Sequence, residues 1–156
     1  GLHSDTYLQC AKIMMDPIRA EKICNLLAKK ILEKFNVKDF DIIVSPAMGG
    51  VIVGYEVARQ LGLKAIFCER VNGVFELRRG FGLDKNMRVL VIEDVLTTGR
   101  SSIETFECIR KNGGIVIAEA CVIDRSTDFI NLGVPLVSLA KIEVRTFDSH
   151  NVLEEL

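Results

Sequence analysis

Two hydrophobic patterns alternate along the chain and predict its secondary structure. Short unbroken apolar runs, typical of strands buried on both faces of a parallel sheet, occupy residues 40–45, 64–69, 88–93 and 115–123, and residues 135–144 hold one or two shorter ones. Between these runs, apolar residues recur every three or four positions, which indicates amphipathic helices. We predict these helices after Asp16-Pro17 for about five turns, from Gly49-Gly50 to Gly62, and after Gly99 as far as Gly113-Gly114.

The segment of residues 70–87 interrupts this alternation, because it is polar, basic and rich in glycine, with a weak hairpin pattern around Phe75 to Phe81. Elsewhere strands and helices follow one another. We therefore predict an α/β fold with a mostly parallel central sheet, helices on both faces and a flexible flap hairpin at residues 70–82. Sheets of this kind bind ligands at the carboxyl ends of the strands, where the strand order reverses.

Composition places the chain among ordinary globular proteins. Its 156 residues suit one domain, predicted to span residues 1–156, and 49% hydrophobic with 26% charged residues excludes a disordered chain. The net charge of −1 argues against a nucleic-acid partner. The longest apolar runs have four residues, as in Val89–Ile92, which is too short to span a membrane. The chain opens on Gly1 rather than methionine, so we expect an upstream segment to be missing.

The five cysteines are widely spaced, form no C-x-x-C motif and are accompanied by only two histidines, His3 and His150. This pattern argues against a zinc site or a disulfide framework. It favours buried free thiols in a reducing compartment, so we expect a cytoplasmic protein.

The strongest chemical signal is the segment V-L-V-I-E-D-V-L-T-T-G-R-S-S at residues 89–102. A buried strand leads into the carboxylates Glu93 and Asp94, and a turn with hydroxyls from Thr97 to Ser101 opens the next helix. Unpaired N–H groups at a helix start bind phosphate, while carboxylates accept hydrogen bonds from sugar hydroxyls. Together the two halves suit a ribose 5-phosphate unit.

A plainer interpretation is that the hydroxyls only cap a helix and that the acids only face solvent at the end of a strand. Paired acids between a buried strand and Thr-Thr-Gly are a more restrictive pattern than a cap, so we prefer the ligand-binding interpretation. The nucleotide-binding patterns G-x-x-x-x-G-K-[ST] and G-x-G-x-x-G do not occur in the sequence. A hydrolase is disfavoured because residues 99–103 lack the second glycine of a nucleophile elbow and no histidine has a triad setting.

Residues 93–101 resemble the signature for 5-phosphoribosyl 1-diphosphate (PRPP) of the type I phosphoribosyltransferases, in which two acids follow an apolar strand and precede a Thr- and Gly-containing turn. Three flanking segments are similar to the orotate branch of that family: residues 1–7, residues 123–125 and residues 69–81. The last of these looks like the flap of the shorter bacterial and archaeal members. The resemblance covers essentially the whole chain in the order of the family.

The resemblance implies transfer of the 5-phosphoribosyl group from PRPP to orotate, giving orotidine 5′-monophosphate and pyrophosphate in pyrimidine biosynthesis, with Mg²⁺ held mainly by the substrate. It implies that Glu93 and Asp94 hold the ribose hydroxyls and act in catalysis with the flap residues Arg78 and Arg79. The PRPP-binding residues implied by position are Met48, Gly49, Gly50, Arg70, Glu93, Asp94, Val95, Leu96, Thr97, Thr98, Gly99, Arg100 and Ser101. The implied orotate-binding residues are Tyr7, Thr97 and Arg125.

The chain departs from the well-studied branch at two places. Gly49 stands where that branch has a lysine, and the flap offers only Arg70, Arg78 and Arg79 as basic residues, where that branch has lysine and histidine. Because arginine stays protonated, we expect the flap to stabilise the departing pyrophosphate electrostatically rather than to donate a proton. The resemblance also implies a homodimer in which each flap serves the site of the neighbouring subunit.

Two other functions stay open. The first is a phosphoribosyltransferase for another base, although Arg125 and Tyr7 would be wrongly placed for a neutral purine. The second is a non-catalytic regulatory domain that senses PRPP. Such regulators usually present a basic face to nucleic acid, which the net charge does not indicate.

Overall fold

The computed structural model describes residues 5–127 and 130–143, with side chains from residue 10 onward. Its helices are α1 (Asp5–Met14), α2 (Pro17–Lys34), α3 (Gly49–Leu61) and α4 (Arg100–Lys111), with a short 3₁₀ turn at Val37–Asp39. Its strands are β1 (Ile42–Pro46), β2 (Lys64–Val71), β3 (Val74–Leu77), β4 (Arg88–Leu96), β5 (Ile115–Asp124) and β6 (Leu136–Lys141).

The six strands form one sheet in the order β3-β2-β1-β4-β5-β6. All neighbours are parallel except β2 and β3, which are antiparallel. From β1 the chain builds outward to β2 and β3 on one side, and then returns to place β4, β5 and β6 on the other. The strand order therefore reverses between β1 and β4, which is where an open α/β sheet forms a crevice.

The strands part at this reversal. β4 pairs with β1 only as far as the Val44–Val91 pair, but on its other side it continues beside β5 until Leu96 lies opposite Asp124. The apolar pattern predicted the end of this strand at residue 93, and the structure extends it by three residues because β5 supplies hydrogen-bond partners. The end of β4 is consequently paired on one side and open on the other.

Two apolar layers cover the sheet, so the predicted α/β architecture with helices on both faces is confirmed. On one face, α1, α2 and α3 pack against the sheet, and the largest fully buried side chains there are Leu27, Ile31, Ile43, Leu90 and Ile92. On the other face, α4 contributes Phe106 and Ile109 to a cluster with Val44 and Val91. None of the described helices is long and apolar enough to cross a membrane. All five cysteines are buried and free.

Helix boundaries follow local signals in the sequence. Asp16 accepts hydrogen bonds from the backbone N–H groups of Ile18 at 3.0 Å and Arg19 at 3.5 Å, and Pro17 occupies the first helical position, where an N–H would be unpaired. Gly62 ends α3 in the left-handed conformation, with φ of 73°. The predicted start of α2 and end of α3 are confirmed.

The predicted position of the hairpin around Phe75 to Phe81 is wrong. The hairpin is formed by β2 and β3, which are joined at Asn72-Gly73 with φ values of 51° and 83°. A two-residue turn with positive φ at both positions matches the twist of the flanking strands, and Asn-Gly is the dipeptide that favours it most. The sequence therefore contained the signal.

Candidate active site

A cleft of about 220 Å³ lies where β1 and β4 part. Four segments line it: the turn after β1, the β2–β3 hairpin, the end of β4, and the turn that leads into α4. Ten residues predicted for the site line this cleft together, namely Met48, Gly49, Arg70, Glu93, Asp94, Val95, Leu96, Thr97, Gly99 and Ser101. Segments as far apart as residues 48 and 101 thus form one concave surface.

The remaining predicted residues lie outside the lining of the cleft. Gly50, Thr98 and Arg100 adjoin lining residues in the chain, whereas Arg78, Arg79 and Arg125 belong to segments beyond it. Tyr7 falls within α1, but its side chain lies outside the described residues, as does the whole of His3.

Gly49 lies directly against the carboxylate of Asp94. A Cβ atom built on Gly49 would be 2.6 Å from Oδ2 and 2.8 Å from Oδ1 of Asp94, which is closer than real Cβ contacts come. The carboxylate is oriented by its neighbour, because the Val95 N–H donates to Asp94 Oδ1 at 2.8 Å. Glycine at position 49 therefore allows the start of α3 to lie directly against the Asp94 carboxylate.

The surroundings of Glu93 change its protonation. The pKa of Glu93 is raised to about 9, chiefly by burial and in addition by its hydrogen bond to Asp94 and by the charges of Asp94 and Glu119. Glu93 is thus a neutral carboxylic acid at pH 7, able to donate a hydrogen bond as well as accept one. The sequence had suggested a carboxylate at Glu93, whereas the fold keeps this side chain protonated at neutral pH.

Two helix starts converge on the cleft, and at α4 the Thr98 hydroxyl accepts a hydrogen bond from the Arg100 N–H at 3.3 Å. α3 follows Met48 and α4 follows Gly99, and neither of these cap residues accepts a hydrogen bond from the first turn of its helix through its side chain. Gly99 has φ of 83°, in the left-handed region that favours glycine. Free N–H groups and the positive end of the helix dipole make each start a site for an anion.

Arg70 places a fixed positive charge at the rim of the cleft. Its guanidinium stacks 4.1 Å from the centre of the Phe75 ring, and Nη1 lies 2.6 Å from Oε2 of Glu104 and donates to the Gly73 carbonyl at 2.9 Å. Glu104 also accepts a hydrogen bond from Nε of Arg100 at 3.0 Å. Sequence reasoning missed Glu104, although its spacing of four residues from Arg100 is a signal for a helical ion pair.

The other two flap arginines, Arg78 and Arg79, do not line the cleft. Arg79 is held by Glu69, with its Nε 2.6 Å from Oε1 and its Nη2 3.2 Å from Oε2. Arg78 is exposed, and its carbonyl accepts a hydrogen bond from the Phe81 N–H at 2.9 Å.

Arg125 directly follows β5 at the same edge of the sheet as the cleft. Its backbone N–H donates to the carbonyl of Leu96 at 2.9 Å, and its side chain is half-buried. The end of β5 is thereby fixed next to the residue that begins the turn before α4. This places Arg125 beside the cleft, within the part of the molecule that the sequence had indicated.

Comparison with known proteins identifies the relatives of this chain. Residues 15–152 match the family model of the phosphoribosyl transferase domain. The chain is 47% identical to the orotate phosphoribosyltransferase of Rhizorhabdus wittichii over 156 residues, covering all of this chain and 79% of that protein. It is also 47% identical over 148 residues to the orotate phosphoribosyltransferase of Caldanaerobacter subterraneus, covering 95% of this chain and 76% of that one.

Solved structures share the fold at lower identity. The orotate phosphoribosyltransferase of Aeropyrum pernix superposes with a TM-score of 0.66 at 22% identity, covering 93% of this chain and 80% of that one. The adenine phosphoribosyltransferase of Thermoanaerobacter pseudethanolicus gives a TM-score of 0.69 at 20% identity, covering 83% and 84%. Both kinds of enzyme thus have this architecture.

The protonation of Glu93 predicts a pH-dependent effect of Glu93→Gln on stability. The raised pKa of about 9, against 4.5 as the ordinary value, means that the folded chain keeps a proton that the unfolded chain releases. The stability that Glu93 provides is therefore complete below pH 4.5 and is lost as the pH rises to about 9. Glutamine does not titrate, so Glu93→Gln does not lose this stability as the pH rises. Its free energy of unfolding, measured with urea, should therefore increase relative to that of the parent with rising pH. Glu107→Gln, at an exposed position of α4, is the control. A difference between Glu93→Gln and parent that stays constant with pH would contradict the assignment.

Proposed function

The chain belongs to the phosphoribosyltransferase family, and on that premise we propose that it transfers the 5-phosphoribosyl group of PRPP to orotate, giving orotidine 5′-monophosphate and pyrophosphate. The observation that carries this proposal is the arrangement of the cleft, in which two helix starts flank an acidic pair. PRPP has the matching sequence of groups, since a phosphate and a diphosphate lie on either side of two ribose hydroxyls.

Each group of PRPP has a counterpart in the cleft. The 5′-phosphate fits the turn from Thr97 to Ser101, where the N–H groups of the first turn of α4 are available. The diphosphate fits the start of α3 at Gly49, with Arg70 as the nearby cation that lines the same cleft. The ribose hydroxyls then lie over Glu93 and Asp94.

The acidic pair suits a ribosyl centre that becomes positively charged. As the bond from C1 to the diphosphate oxygen lengthens, its electron pair leaves with the diphosphate and positive charge develops on the sugar. The carboxylate of Asp94 stabilises that charge, while the neutral Glu93 donates to a hydroxyl oxygen. The ring nitrogen of orotate then forms the new bond to C1 and gives up its proton.

Mg²⁺ is proposed as the metal ion. The described residues contain no group of three His, Cys, Asp or Glu side chains arranged to hold a metal, and Mg²⁺ is commonly bound by substrate phosphates with few protein ligands. The donor set therefore fits an ion held mainly by the oxygens of PRPP. When bound, such an ion neutralises charge on the diphosphate.

Two observations favour orotate as the acceptor. One is the placement of Arg125, and the other is that the relatives matched over all or nearly all of this chain are orotate phosphoribosyltransferases. A guanidinium can bind the orotate carboxylate through two parallel hydrogen bonds, and Arg125 is fixed next to Leu96 at the edge of the cleft. Thr97 lines the same cleft and directly follows Leu96. Tyr7 is proposed to stack on the base.

We further propose a homodimer that works in the cytoplasm. Met48, just before α3, and Ile52 and Tyr55 on α3 are exposed by 88%, 55% and 69%. Their spacing of four and three residues puts these large apolar side chains on one side of the helix. This apolar side begins at the cleft, and a second copy of the chain would bury it. In that arrangement the flap reaches the neighbouring site once Arg79 leaves Glu69.

Purified protein incubated with PRPP, Mg²⁺ and a panel of bases tests the function. We expect orotate to be consumed, with a fall in its ultraviolet absorbance, only when PRPP and Mg²⁺ are both present. Consumption of adenine or hypoxanthine with orotate left unchanged would contradict orotate as the acceptor. PRPP binding without consumption of any base would favour the sensing domain.

Arg125→Ala should weaken the binding of orotate far more than the binding of PRPP. Loss of a charged, two-point hydrogen bond of roughly 1.5–3 kcal/mol corresponds to a rise in the KM for orotate of about ten- to a hundredfold. The KM for PRPP should stay close to that of the parent, and Arg19→Ala, at an exposed position on α2, serves as the control. An equal rise in both KM values would place Arg125 outside the base site.

A mixed dimer tests the sharing of the flap. One subunit carries Arg78→Ala and Arg79→Ala, and the other carries Asp94→Asn, so that each parent homodimer loses an essential group at both of its sites. If the flap acts across the interface, the hybrid has one intact site of two and regains activity. A purified hybrid that is as inactive as its parents, or a fully active monomer, would exclude a shared flap.

A further inference from the structure

A buried carboxyl group lies beneath the turn that we assign to the 5′-phosphate. Glu119 is in the middle of β5 and is completely buried. Its Oε2 accepts a hydrogen bond from the Ser102 hydroxyl at 2.9 Å, while Oε1 has no hydrogen-bond partner among the described residues. An unpaired oxygen on a buried carboxyl is costly, and costlier still when the group is ionised. Nothing in the mechanism above uses this group.

Its partner belongs to the anion site. Ser102 is the third residue of α4, is buried, and lines the cleft next to Ser101. The hydrogen bond from Ser102 to Glu119 therefore links the first turn of α4 to β5. It also directs the Ser102 hydroxyl away from the ligand, so that the N–H groups of the turn are left to bind the anion.

The surroundings of Glu119 are acidic. Glu93 faces it from β4, Cys121 and Asp124 face it from β5, and Ser102 is its neighbour from α4. The pKa of Glu119 is raised to about 7 by burial, against the lowering effect of the hydrogen bond from Ser102, and the charge of Asp124 adds to the rise. Glu119 therefore changes its charge near neutral pH, directly under the site that receives a phosphate.

We propose that Glu119 is a positioning residue for the start of α4, and that a negative charge on Glu119 and a phosphate in the cleft disfavour each other. This inference rests on the proposed function, since it requires the cleft to bind PRPP. Two negative charges near one helix start interact strongly where water is excluded. Binding of PRPP should then be accompanied by uptake of a proton at Glu119, and ionisation of Glu119 should weaken binding.

The direction of the pH dependence follows from the repulsion between ionised Glu119 and the phosphate. Below the pKa of about 7, Glu119 is neutral and does not oppose the phosphate; above it, the carboxylate does. PRPP affinity should fall as the pH rises through neutrality. PRPP itself titrates in this range, so the informative quantity is the ratio of the dissociation constants of a variant and the parent at each pH.

The test is calorimetric titration of the full chain with PRPP and Mg²⁺ between about pH 6 and pH 9. Glu119→Gln keeps the shape of the side chain and an acceptor for Ser102, but it cannot ionise. We expect its affinity to match the parent at the acidic end and to exceed it by about fivefold or more at the alkaline end, as for a typical coupling between two sites. Glu107→Gln, on the exposed side of α4, should follow the parent throughout.

Ser102→Ala provides a second, independent variant. It leaves the carboxyl in place but removes the hydrogen bond that lowers its pKa, so the fall in PRPP affinity should move to higher pH rather than disappear. A purely structural role for the Glu119–Ser102 contact would weaken binding equally at every pH in both variants.

The outcomes separate the inference from the function on which it rests. Parallel pH profiles for parent, Glu119→Gln and Ser102→Ala, with normal PRPP binding, would overturn the role of Glu119 and leave the proposed function intact. Failure of the parent to bind PRPP at any pH would overturn both. If Glu119→Gln does not fold, the profile of Ser102→Ala decides alone, and an unshifted profile overturns the inference.

Discussion

The site depends on the parting of two parallel strands. After the Val44–Val91 pair, β1 ends and turns into α3, whereas β4 continues with only β5 beside it. The open side of β4 receives the start of α3, and Gly49 approaches Asp94 more closely than any residue with a Cβ could. With a side chain at this position, the carboxylate of Asp94 would have to shift.

This geometry concentrates acids where an anionic ligand is expected. Glu93, Asp94 and Asp124 are buried at or near the ends of β4 and β5, and Glu119 is buried in the middle of β5. Burial keeps the proton on Glu93 at neutral pH, which limits the charge that the cleft holds without ligand. Positive potential comes instead from the two helix starts and from Arg70, which Glu104 and Phe75 hold in place. A cleft built in this way needs no lysine at position 49.

Much of the fold was readable from local patterns. The unbroken run at residues 88–93 predicts a buried strand because a parallel strand is apolar on both faces, and Asp16-Pro17 predicts the start of α2 because capping depends on adjacent residues only. The weak apolar pattern of residues 75–81 does not mark the hairpin, whose turn is formed by Asn72-Gly73. The last three residues of β4 were not readable, because their pairing depends on β5.

The sequence by itself determined which chemical groups lie near each other along the chain: an acidic pair after a strand, hydroxyls and a glycine before a helix, and arginines in a flap. Tertiary structure decided how those groups behave. Glu119 and Ser102 are seventeen residues apart and meet only because α4 packs on β5, and Glu93 keeps its proton only because the fold removes it from water. Arg79 pairs with Glu69 across the β2–β3 hairpin rather than with the cleft. Local patterns encode backbone preference and burial. The charge state of a side chain and its hydrogen-bond or ion-pair partner depend instead on distances through space that only the folded chain sets.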